Sequence, residues 1–203
     1  LFATTRTATQ MVSYEIPIGL AFVAAIACAG TFSLQEIVRD QQGWFWQWYV
    51  FRNPFLMVLS IVYLVASLAE CKRAPFDLPE AESELVSGFH TEYSGMRFAL
   101  FFLAEYAAMY LVSAVAVVIF FGGWWTGIPI IDNIGLGPEA TVGGSVVGFM
   151  MKAGVIISKS IFLVFVQMWA RWTLPRVRLD QMMHLSWKVL LPVSLVAVLG
   201  STL

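Results

Sequence analysis

Five continuous apolar runs, at about residues 11–34, 54–70, 97–121, 149–170 and 187–203, constrain this chain more than any other feature. Each approaches the ~20 apolar residues that a helix needs to cross the hydrocarbon core of a bilayer. A soluble core would leave several of them exposed. Composition agrees: 59% of residues are hydrophobic and 12% charged, against roughly 25% charged in an average soluble domain. The runs do not alternate with polar residues, so helices are expected rather than barrel strands. The second and fifth are short, and flanks or tilt must complete them. The expected fold is an all-α integral membrane protein with about five transmembrane helices, one polytopic domain over residues 1–203.

Between the second and third runs lies an acidic loop, residues 71–96. The stretch from Glu70 to Glu105 holds Glu70, Asp77, Glu80, Glu82, Glu84, Glu92 and Glu105, seven of thirteen acids. From Glu70 to Glu92, six acids face only Lys72 and Arg73, a balance of −4 with His90 neutral. Carboxylates crowded beside a low-dielectric slab cannot ionise independently, and repulsion and desolvation favour coupled titration with raised pKa values. A proton-handling site at a membrane surface is therefore expected. Pro75 breaks the preceding helix, and Asp77-Leu78-Pro79-Glu80 reads as a new helix start, with Asp77 as cap. The helix dipole alone explains Asp77 and Glu80. It does not explain Glu70, Glu82, Glu84 and Glu92. Asp77, Glu80 and Glu84 share a helix face and need protonation, hydration or a partner such as Arg73.

Two charges fall inside apolar runs. Glu105 lies eight residues beyond Arg97, about 12 Å deep at ~1.5 Å per residue. An ionised carboxylate at the centre of a spanning helix costs on the order of 2.5–3.5 kcal/mol, so function outweighs a neutral, hydrogen-bonded acid as its explanation. Lys159 stands in mid-run and calls for a buried partner or water, whereas Lys152 can snorkel to headgroups. Glu15 precedes Pro17, which bends a helix; it is either an interfacial acid or a carboxylate on an internal polar path. The connection 35–53 carries Trp44, Trp46, Trp48 and Tyr49, and reads as an interfacial aromatic belt in preference to a cofactor box.

The remaining features narrow the function classes. A net charge of −1 gives no reason to expect nucleic acid. Cys28 and Cys71 make neither a disulfide framework nor a metal-ligand spacing, and His90 with Glu92 is weak ground for a metal. Residues 122–148 form a glycine-rich interfacial loop. Lysines and arginines concentrate on the side of the acidic loop and of Arg171–Arg178, so that side is expected to face the cytoplasm or mitochondrial matrix. The chain starts at Leu1, close to an apolar run and without a recognisable targeting peptide, so an N-terminal truncation is expected.

The stretch ECKRAPFDLPEAESELVSGFHTEYSGMRFALFFLAEY, Glu70 to Tyr106, resembles the quinone-site membrane subunit of respiratory complex I, lettered H in bacteria and numbered 1 in mitochondria. Gln10–Glu15 with Pro17, Gly122-Gly123-Trp124 and Arg171–Pro192 agree with the same family. The resemblance covers nearly the whole chain, but about three family helices before Leu1 are absent, so it corresponds to the C-terminal two-thirds. Leu179, where tyrosine is usual, is a minor departure.

That resemblance implies a membrane subunit of a proton-pumping NADH:quinone oxidoreductase that lines the quinone cavity and couples quinone reduction to proton translocation. Arg73, Asp77, Glu80, Glu82 and Glu84 correspond to positions along the cavity. Glu15, Glu70, Glu92 and Glu105 correspond to the charged path toward the membrane arm, and Lys159 matches a family lysine grouped with it. The family implies no cofactor or metal bound by this chain and no complete active site in it. Quinone is the substrate, with iron–sulfur clusters, FMN and NADH in partner subunits. The implied partners are hydrophilic quinone-site and iron–sulfur subunits and antiporter-like membrane subunits. The implied location is the bacterial inner or mitochondrial inner membrane. Rival readings are the equivalent subunit of a membrane-bound hydrogenase or other donor-linked dehydrogenase, a stand-alone proton or cation transporter, and a structural anchor. A transporter would be expected to show an inverted repeat, and none is found. An anchor leaves Glu105 unexplained.

Overall fold

The computed structural model describes residues 2–71, 75–76, 95–129, 132, 146–175 and 177–202. Its elements run α1 (Phe2–Ala29), α2 (Leu34–Asp40), a 3-10 turn (Phe45–Gln47), α3 (Tyr49–Arg52), α4 (Pro54–Glu70), α5 (Met96–Phe120), α6 (Val146–Thr173), α7 (Leu179–Leu185), a π-helical segment (Ser186–Leu190) and α8 (Leu191–Thr202). Met11–Ala29, Met96–Phe120, Val146–Thr173 and Gln181–Thr202 are long and apolar enough to cross a membrane, and Pro54–Glu70 is a shorter apolar helix. Each of the five expected runs is thus a helix, and the chain is a multi-pass, all-α membrane protein.

Local chemistry sets the boundaries. Gly30 adopts φ 69° and donates its N–H to Ile26 O at 2.8 Å, closing α1 five residues before the apolar run suggested. A left-handed residue of this kind ends helices readily only as glycine. α4 opens where Asn53 accepts a hydrogen bond from Phe55 N at 3.1 Å, with Pro54 in the first turn, where its missing N–H costs nothing.

Pro17 has a longer-range consequence. Lacking an N–H, it leaves the Ser13 carbonyl, one turn earlier, without its helical donor. Ser186 Oγ donates to that carbonyl at 2.6 Å, and Trp187 Nε1 donates to Ser13 Oγ at 3.2 Å. Both donors belong to the π-helical segment, whose wider turn precedes Pro192. Tyr14, 1% exposed, completes the joint by donating its hydroxyl to Met182 O at 3.0 Å. A gap in the hydrogen-bond ladder of one helix is therefore satisfied by an irregular turn in another, as the dry interior of a bilayer requires.

α1, α4 and α8 pack together, α5 lies against α4, and α6 packs mainly on α5. Ala21, Ala24 and Ala25 of α1 share the core with Leu59, Val62, Tyr63 and Ala66 of α4. Small residues let helix backbones approach closely where lipid offers no hydrophobic drive for association. Only 11% of the apolar window of α6 is buried, which makes it the outermost span.

Candidate functional site

Three predicted acids lie toward the loop end of adjoining helices. The rings of Phe22 (α1) and Tyr63 (α4) lie 5.4 Å apart, and the Tyr63 hydroxyl donates to Val112 O of α5 at 3.0 Å. Glu15, Glu70 and Glu105 each lie seven residues from these contacts, toward the loop side, on successive antiparallel helices. Seven residues are about two helical turns, so each acid also falls near the helix face that carries its contact. Glu15 is the charged neighbour whose field acts on Glu70. Glu105 is half-buried, with Oε1 inside the structure; Glu15 and Glu70 are exposed on the isolated chain.

The start of the acidic loop is stitched down at this end. Phe76, 4% exposed, packs its ring 5.6 Å from Tyr14, and Pro75 O accepts from Val177 N at 3.1 Å. Arg73, Asp77, Glu80, Glu82, Glu84 and Glu92, together with the helix start expected at Asp77, lie outside the described residues.

Lys159 is elsewhere. Its Nζ donates to the carbonyls of Phe121 at 2.7 Å, Gly123 at 3.3 Å and Trp125 at 2.5 Å, and sits 4.1 Å from the centre of the Trp48 indole ring. These groups belong to the cap at the end of the bundle remote from the acidic loop. There Gln41, fully buried, donates to Ile37 O and Ile119 O and accepts from the N–H groups of Tyr49 and Gly122. Trp125 Nε1 donates to Val38 O at 2.9 Å. Buried Asp132 accepts from Thr126 N and Oγ1 and places a carboxylate within electrostatic reach of Lys159. Burial, aided by the hydrogen bond to Asp40, pushes the Tyr49 phenol up from its ordinary value. The aromatic stretch therefore divides: Trp44 and Trp46 are 56% and 64% exposed, whereas Trp48 and Tyr49 turn into the cap.

Sequence reasoning missed Gln41, Asp132 and the Ser13–Ser186–Trp187 joint. Gln41 and Asp132 carry no pattern that separates them from surface polar residues. For the joint, Pro17 was a signal, since it marks an orphaned carbonyl four residues earlier. Among the described residues, no three histidine, cysteine or acidic side chains converge to hold a metal.

A helical bundle with several spans long and apolar enough to cross a membrane defines the class of polytopic helical membrane proteins. A family model described as NADH dehydrogenase matches residues 1–202, and the chain belongs to that family. It is 50% identical over 199 residues to the H subunit of the NADH-quinone oxidoreductase of Chlorobaculum tepidum, an alignment covering 97% of this chain and 54% of the relative. The corresponding H subunit of Anaeromyxobacter dehalogenans is 45% identical over 213 residues, covering 100% of this chain and 50% of the relative. The chain spans about half the length of the curated relatives it matches.

Proposed function

We propose that this chain is part of the membrane subunit of a proton-translocating NADH:quinone oxidoreductase, lining its quinone cavity and passing the energy of quinone reduction to proton translocation. The observation that carries the reading is the set of Glu15, Glu70 and Glu105 toward the loop end of adjoining helices, with Glu15 in electrostatic reach of Glu70 and Pro75–Phe76 anchored beside Tyr14. Carboxyls held together at low dielectric respond jointly to a change of charge nearby. Quinone reduction supplies such a change, because it adds two electrons and draws in two protons.

In this mechanism, Arg73, Asp77, Glu80, Glu82 and Glu84 wall the quinone cavity within the loop 71–96. New negative charge on the quinone, or its protonation, shifts the titration of these acids. Glu70 and Glu15 take up the shift, and with Glu92 and Glu105 they pass it toward the pump. Lys159 stands at the far end of the route as a cation. The electron-transferring groups, FMN, iron–sulfur clusters and NADH, belong to partner subunits, and antiporter-like membrane subunits receive the proton-motive step. The acidic loop faces the cytoplasm or matrix, following the distribution of lysine and arginine.

The experiment is purification of the tagged full-length subunit from native membranes in mild detergent. NADH:quinone activity is then assayed with and without a quinone-site inhibitor. Co-purification of inhibitor-sensitive activity supports the reading; recovery of a lone protein that moves protons would replace it with a transporter. Arg73→Ala is expected to lower quinone reduction several-fold while NADH oxidation by an artificial acceptor persists. Equal loss of both activities would point to misassembly of the complex instead.

A further inference from the structure

In lipid, α6 lacks the hydrophobic drive that holds helices together in water, and its packing is mainly against α5. Lys159 ties it to the cap, projecting from mid-helix onto the 121–125 turn and the Trp48 ring. The ammonium has three protons and three carbonyl acceptors, and its remaining flank lies over the indole. Carbonyl oxygens and an indole ring accept hydrogen bonds or attract a cation, but neither can take a proton and hand it on. The buried Asp132 carboxylate acts on the ammonium through its field, while its own hydrogen bonds are to Thr126.

The acceptors need Lys159 as much as it needs them. Gly122 and Gly123 have positive φ, 74° and 52°, so the turn departs from helical geometry just after α5. The Phe121 and Gly123 carbonyls accept from Lys159 there, and buried polar groups without a partner draw in water. The turn is itself fixed by Gln41 to α2 and α3, so the cap can present its carbonyls without rearranging.

We propose that Lys159 is a positioning residue: a membrane-embedded latch that docks α6 on the cap and keeps water out of the interface, rather than a group that carries protons. Without the latch, hydration of the freed carbonyls opens a wet seam between α6 and the cap, and protons leak along it. The latch rests on the proposed proton route only for its contrast with a relay.

The test uses the full-length subunit in its complex, reconstituted into phosphatidylcholine vesicles. A potassium diffusion potential drives proton flux with neither NADH nor quinone present. Lys159→Met is expected to raise this passive flux several-fold, and Lys159→Arg, which keeps the cation and its donors, to return it toward the parental value. Trp48→Leu removes the ring and no titratable group, and is expected to raise the flux as well; it decides the matter if Lys159→Met does not assemble. Parental flux in both Lys159→Met and Trp48→Leu would overturn the latch. Failure of the pump reading would appear separately, as absence of NADH-driven proton uptake in the parental complex.

Discussion

At the scale of single residues, Glu15 and Glu70 are electrostatic neighbours on packed helices. Glu15 lies close enough for its charge to act on Glu70, so removing either carboxylate changes the electrostatic surroundings of the other. The expected result is non-additivity. Glu15→Gln and Glu70→Gln each lower proton pumping, and the double variant loses less than the product of the single losses, as for coupled residues. Multiplicative losses, measured as proton uptake by vesicles during NADH oxidation, would show that the two acids act independently. The acids were legible in the sequence because a charge stands out in an apolar run. The surroundings of Lys159 were not, because three of its four partners are backbone carbonyls, which every residue possesses.

At the scale of elements, the structure is a set of regular helices joined by irregular turns whose polar groups are satisfied across the bundle. Ser186 supplies the hydrogen bond that Pro17 denies to Ser13. Ser186→Ala leaves that buried carbonyl without its donor, at a cost of about 1–3 kcal/mol. It should lower the midpoint of thermal unfolding of the detergent-solubilised full-length subunit; an unchanged midpoint would mean the joint is not holding the fold. Gly122→Ala forces a side chain into the left-handed region, roughly 1–2 kcal/mol by itself. Its Cβ would also lie 2.5 Å from Trp48 Nε1, so the cap must shift. The same unfolding measurement should show a drop, with the parental midpoint counting against a rigid cap. Helix placement was readable from the apolar runs, since length and hydropathy decide what crosses a bilayer. The π-helical turn at Ser186–Leu190 and the early end of α1 were not, because both arise from tertiary or single-residue backbone choices inside an apolar pattern.

At the scale of the whole molecule, two ends of the bundle have different chemistry. The loop end carries Glu15, Glu70 and Glu105, with Pro75–Phe76 anchored there. The opposite end is a closed cap built on Gln41, Trp125 and Lys159. That polarity suits a protein that accepts a charge signal at one end and must stay proton-tight at the other. Its direct test is Glu105→Gln in the assembled complex, with protons translocated measured beside NADH:quinone turnover and NADH oxidation by an artificial acceptor. The account predicts that pumping and coupled turnover fall several-fold while artificial-acceptor oxidation stays at the parental rate. Parental pumping with Gln at position 105 would contradict the claim that these carboxyls couple quinone chemistry to proton movement.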